Sequence, residues 1–166
     1  MSIVFDPNRE HLLSIELYYV EMKRKRGNCV FYFIHSAEEM EEWKTKGYIP
    51  ASEIKQGQTT EKVIQKIQTY WKPIKWKEQN IILSRSLKST QKVDGAVLDT
   101  IDPLRYRDLK LKTCLKKWDV KDDAGNEVTL TEEVIDNLEP VVAQELIAAF
   151  EKVTEPTEED LKVSER

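Results

Sequence analysis

The sequence predicts an α+β protein: a small N-terminal β-hairpin region, a mostly helical body and a flexible acidic C-terminal tail. Three observations predict it. Residues 14–34 hold two runs rich in β-branched and aromatic residues around a polar, glycine-closed stretch. Residues 59–153 carry apolar residues at helical spacing behind recognisable caps. The last residues are charged and poor in apolar side chains. The corresponding divisions are 1–58 (hairpin plus helix), 59–153 (helical body) and 154–166 (tail).

From Ser14 to Met22, Ile15, Leu17 and Tyr19 share one face of a strand, and Glu16, Tyr18 and Val20 the other. Asn28 to Ile34 (Asn-Cys-Val-Phe-Tyr-Phe-Ile) reads as a second strand. Lys23-Arg24-Lys25-Arg26-Gly27-Asn28 lies between them as the hairpin connection. Two strands alone are marginal, so a third is expected from Ile3 to Phe5 or from another copy of the chain. Ser36 and Glu39 fit a capping box that opens a helix. Met40 and Trp43 face inward on it, Lys44 and Lys46 suit its C-terminal dipole, and Gly47 suits the left-handed cap. Tyr48 to Gly57, with Pro50, reads as loop.

Thr59 and Thr60 precede Val63, Ile64, Ile67 and Tyr70, a helical stripe that Lys72-Pro73 ends. Trp76, Asn80, Leu83 and Leu87 predict a further helix, and Ser89 to Leu98 a polar linker. Asp102-Pro103 is a strong helix start, with Asp as N-cap and Pro in the first turn. Leu104, Leu111, Leu115 and Trp118 follow as one amphipathic stripe. Asp119 to Asn126 is a turn. Thr129 and Glu132 fit a capping box before Val134, Ile135 and Leu138. Pro140 restarts a helix whose buried face is Val142, Leu146, Ile147, Phe150 and Val153. Thr154 to Arg166 is expected to be mobile.

The chain has 166 residues, about one domain. It is 34% charged, yet four Trp, six Tyr and four Phe supply material for a core. No apolar run approaches the roughly 20 residues of a membrane helix. The opening Met-Ser-Ile-Val-Phe-Asp lacks the basic-then-apolar order of a secretory leader, so a cytoplasmic location is expected. The net charge of −4 conceals two halves. Residues 1–118 hold 22 Lys and Arg against 15 Asp and Glu, while residues 119–166 hold 4 against 15. Such asymmetry marks either a basic body that attracts its own acidic end or two surfaces with different partners.

Catalytic patterns are absent. Cys29 and Cys114 are far apart, as are His11 and His35, so no zinc motif forms. Gly27, Gly47, Gly57, Gly95 and Gly125 cannot make a phosphate-binding loop. The expectation is no enzyme, no metal and no cofactor, with free thiols. Asp119 invites a calcium-loop reading, but Lys121, Ala124 and Leu130 stand where that loop needs Asp or Asn, Gly and Glu; only Asp119 and Asp123 fit. The Glu38, Glu39, Glu41 and Glu42 cluster is explained by helix dipole and solvation. Lys23, Arg24, Lys25 and Arg26 could contact phosphates, and Trp71 and Trp76 with Lys72, Lys75 and Lys77 interleave aromatic and basic groups as single-strand-binding sites do. A solvated turn and core tryptophans are the plainer reading.

Several pieces of the second half form a pattern: Trp76-Lys-Glu-Gln-Asn80, Asp102 with Tyr106-Arg107, Leu115-Lys-Lys-Trp118-Asp119, Gly125-Asn-Glu-Val128, Thr131-Glu-Glu, Leu138 and Pro140-Val-Val-Ala143. This pattern, over residues 76–153, resembles the tail assembly chaperones of long-tailed bacteriophages. Residues 1–70 match nothing in it. The resemblance implies a non-enzymatic factor in the host cytoplasm. Its partners would be the tape-measure protein and the tail-tube protein, and a second copy of the chain is a further candidate. An exposed amphipathic stripe can receive a partner helix, so Leu104, Leu111, Leu115, Trp118, Val142, Leu146 and Phe150 are the expected partner-binding residues. The competing reading has the two stripes pack on each other. Two rival functions are a structural virion component of the tail or neck, and a nucleic-acid-binding protein using Lys23 to Arg26.

Overall fold

The structure is a computed structural model and describes residues 11–93 and 96–155, with 89–93 and 96–98 traced by their backbone. Its centre is a mixed sheet. Strand β1 (Leu13–Lys23) and strand β2 (Cys29–Ile34) pair antiparallel, from Tyr18↔Ile34 to Lys23↔Cys29. Gly27 closes the connection at φ +82°, a conformation that side chains disfavour. Helix α1 (Ala37–Thr45) follows, then a two-residue strand β3 (Ile49–Pro50) and a single 3-10 turn (Ala51–Glu53). Strand β4 (Val63–Trp71) pairs antiparallel with β1, from Leu13↔Trp71 to Val20↔Ile64, and parallel with β3.

Helix α2 (Trp76–Arg85) leads into a separate two-stranded sheet, β5 (Leu87–Val93) with β6 (Ala96–Ile101). Helix α3 (Pro103–Cys114) returns the chain to the main sheet and passes directly into β7 (Leu115–Trp118), antiparallel to β4. Helices α4 (Glu132–Asp136) and α5 (Pro140–Thr154) complete the described chain. The main sheet runs β2-β1-β4-β3, with β7 also on β4.

The α+β class stands, but the body is not mostly helical. The segment expected as a helix at 59–72 is β4, the second central strand. Its apolar residues lie on both faces. Ile67, Thr69 and Trp71 are buried on one side, and Ile64 on the other. A strand buried on two faces loses strict alternation, and Val63, Ile64, Ile67 and Tyr70 then mimic a helical stripe. The boundary expected at residue 58 falls between β3 and β4, which pair. The described part of the stretch expected as a linker, 89–93 and 96–98, belongs to β5 and β6, and the expected helix from Leu104 to Trp118 ends at Cys114. The third strand beside the hairpin is β4; Ile3 to Phe5 and the acidic tail beyond Glu155 lie outside the described residues.

Two cores result. On one face, β1, β4 and β7 pack against α3, α4 and α5; Trp71 and Phe150 stack with ring centroids 4.7 Å apart. On the other, Val20, Ile34 and Ile64 sit under Met40 and Trp43 of α1, with Tyr48 beside them. Trp43 meets Tyr48 edge-on at 4.9 Å, a favoured aromatic geometry.

The caps follow from the sequence with shifts of detail. Ser36 Oγ accepts from the Glu39 N–H at 3.2 Å, but the Glu39 carboxylate accepts from the His35 N–H at 2.9 Å rather than from Ser36. Asp102 Oδ1 accepts from the N–H groups of Leu104 (3.0 Å) and Arg105 (3.3 Å). The cap of α4 is Thr131, accepting from Val134 N–H at 3.2 Å, two residues later than expected.

Candidate interaction surface

Most residues expected to bind a partner are core. Leu111, Leu115, Trp118, Leu146 and Phe150 are buried within the chain, and Val142 is half-buried against them. The stripes of α3 and α5 face the sheet and each other, so the plainer reading holds for these six. Leu104 is the exception, at 77% exposure. Beside Trp118 an apolar hollow of ≈ 340 Å³ is lined in part by Val120, Val128, Val134 and Leu138.

Leu104 belongs to a different group of side chains. Trp76 opens α2 at 80% exposure, and Ile81, Leu87 and Ile101 are exposed as well. Leu87 and Ile101 are cross-strand partners at the root of the β5–β6 hairpin. Four hydrogen bonds organise this region. The Glu78 carboxylate accepts from Lys75 N–H at 3.0 Å and from Lys72 Nζ at 2.6 Å, tying down the start of α2. Partial burial works against the charge on Glu78, but these hydrogen bonds and the Lys72 and Lys75 charges outweigh it and hold its pKa below the usual value. Gln79 Nε2 donates to Tyr106 Oη at 3.1 Å, linking α2 to α3. Asp102 N–H donates to the carbonyl of the buried Ser86 at 2.7 Å, closing the hairpin root. Trp76, Ile81, Leu87, Ile101 and Leu104 thus all lie on the stretch from the start of α2 to the first turn of α3. Exposed apolar groups mark an interaction site where they form a contiguous patch.

The basic run sits at the tip of the β1–β2 hairpin, with Lys23, Arg24, Lys25 and Arg26 all exposed. Trp71 is fully buried while Trp76 is exposed, so the two do not form a paired stacking platform. The turn after β7 is organised by Asp122, whose Oδ1 accepts from Asn126 N–H (2.8 Å) and Ala124 N–H (3.0 Å). These bonds, the one from Asn126 foremost, hold its carboxyl below the usual range. Its lone pairs are spent on the backbone in an Asx turn. Among the described residues no group of three or more His, Cys, Asp or Glu is arranged to hold a metal ion, and no helix is long and apolar enough to cross a membrane. His35 Nε2 lies 2.7 Å from Glu145 Oε2, joining the end of β2 to α5.

Cys114 is buried, and burial pushes its thiol up to about 11. The exposed Cys29 thiol is also raised, chiefly by a hydrogen bond to Glu21. Neither is an activated nucleophile, which would need a lowered pKa. Sequence reasoning did not single out Trp76, Ile81, Leu87 and Ile101 as a surface. The signal for the hairpin that presents Leu87 and Ile101 was the Asp94-Gly95 dipeptide between two β-prone runs, a composition that favours tight turns.

No family model, curated protein or solved structure matches this chain.

Proposed function

We propose that the chain is a non-enzymatic assembly factor of the phage tail-chaperone kind, which holds the tape-measure protein and tail-tube subunits during tail morphogenesis. The pattern across residues 76–153 supports this reading, and one observation carries it: five large apolar side chains exposed around the α2–hairpin–α3 junction, with Trp76 and Leu104 the most exposed. Full burial of such a side chain is worth about 1.5–3 kcal/mol; Trp76 and Leu104 forgo most of that in water and Ile81, Leu87 and Ile101 less than half, which a partner's apolar helix face would recover. The surface differs from the stripe expected at first, because that stripe is consumed by the core.

Co-expression pull-down with the tape-measure protein of the same genome, followed by mass spectrometry of purified virions, tests the reading. Capture of the tape measure, its loss in Leu104→Asp, and absence of the chain from virions are the expected results. Stoichiometric presence in particles would instead identify a virion component. Failure to capture the tape measure at all would remove the chaperone reading.

A further inference from the structure

Strand β2 ends the sheet. The Arg24 N–H donates to the Asn28 carbonyl at 2.8 Å, and this closing bond sets the alternation along the hairpin. Residues 30, 32 and 34 bond inward to β1, so the N–H and C=O groups of Cys29, Phe31 and Phe33 aim outward. Among the described residues no strand pairs with that edge. Protein edges are commonly guarded by charge, proline, a bulge or brevity. Cys-Val-Phe-Tyr-Phe-Ile has no charge and no proline, and its register with β1 is unbroken over six pairs.

We propose that β2 pairs antiparallel with β2 of a second copy of this chain, about a two-fold axis at Phe31, so that one sheet runs through a dimer. The outward groups lie symmetrically at 29, 31 and 33. In this register Phe31 faces its own copy and Cys29 faces the second copy's Phe33, so all six groups on each strand find partners. A two-fold contact must be self-complementary, and this spacing is. Charge selects the same arrangement. Lys23, Arg24, Lys25 and Arg26 stand at one end of β2; Glu38 and Glu39, in the first turn of α1, stand just past the other. Antiparallel pairing brings the basic tip of each copy towards the acidic turn of the other, whereas parallel pairing would set the two basic tips side by side. The inference does not depend on the proposed function.

Light scattering and sedimentation of the full chain, from micromolar to hundreds of micromolar, test it. The wild type is expected to dimerise with rising concentration. Phe31→Pro removes only an outward N–H, which an edge strand tolerates; it should be monomeric while keeping a cooperative thermal transition. The double variant Lys25→Glu, Arg26→Glu leaves the strand intact and should raise the dimer Kd about tenfold, the effect expected of reversed rim charges. A wild type that is monomeric throughout overturns the proposal. So does a dimer that both variants leave unchanged, because its contact would lie elsewhere.

Discussion

A hydroxyl occupies the middle of the sheet at Thr69, fully buried. Thr69 Oγ1 donates to the Ile15 carbonyl at 2.7 Å and accepts from Trp71 Nε1–H at 2.7 Å. This relay ties β1 to β4 and fixes the indole that stacks on Phe150. Valine has nearly the same shape but neither donor nor acceptor. Thr69→Val should therefore leave the packing intact and strip the buried Trp71 Nε1–H of its acceptor, while the Ile15 carbonyl keeps its bond from the residue-69 N–H in the ladder, costing about 1–3 kcal/mol. Urea unfolding measures it directly, and a change under about 0.5 kcal/mol, the range of an ordinary surface substitution, would refute the relay.

At the scale of elements, the β5–β6 hairpin stands apart. The side chains described in it, at 87, 88 and 99–101, are all exposed, and its strands pair only with each other. Opening a unit costs little where, as at these described positions, few buried contacts are lost. Native-state hydrogen exchange should show β5 and β6 amides exchanging well before those of β1 and β4, whose amides should follow global unfolding. Equal protection in both sheets would contradict this. The elements also show what the sequence made legible. Caps and turns are written locally, so the start of α3 at Asp102-Pro103, the Gly27 turn and the left-handed Gly47 at φ +91° could be read from single residues. β4 could not, because its neighbours in space are far along the chain and it serves both cores. The stripes of α3 and α5 were legible as apolar faces. An apolar face does not state whether the chain or a partner covers it, and here α3 and α5 cover each other and the sheet.

At the scale of the molecule, several protons bind more tightly in the folded state: those of Cys29, Tyr18 and Tyr19, and those of Cys114, Lys110 and Lys112. Burial raises the Cys114 thiol from 9.0 to about 11. Burial would lower Lys110, but Tyr106 and the Glu155 and Glu151 carboxylates outweigh it, so its pKa is raised. The hydrogen bond to Asp136 leads in raising Lys112, with Asp108 adding to it. A folded-state pKa above the unfolded value gives stability that is complete at neutral pH and declines as pH rises. Unfolding free energy should thus fall between pH 9.0 and about 11 as the unfolded thiol ionises first, then further above 10.5 as the lysines follow. The cysteine's share is about 2–3 kcal/mol for a shift of this size. Denaturant midpoints for the wild type and Cys114→Ala check it: the variant should lose the Cys114 share of the first part and keep the rest, to which Cys29, Tyr18 and Tyr19 contribute. A wild-type profile flat to pH 11 would contradict the assignment.

The hydrogen bond from Asp102 N–H to the Ser86 carbonyl has a practical meaning. The chain leaves the body and rejoins it at a single point, so whatever hangs between Ser86 and Asp102 is a pendant on a closed ring. Chain length added there is cheap, since each doubling of a loop costs only about 0.6 kcal/mol of closure entropy. The root is therefore a natural grafting port. A tag, a fluorophore-bearing loop or a foreign peptide could replace the strands beyond Leu87 and Ile101 and be displayed beside the apolar junction, leaving the sheet and its two cores untouched.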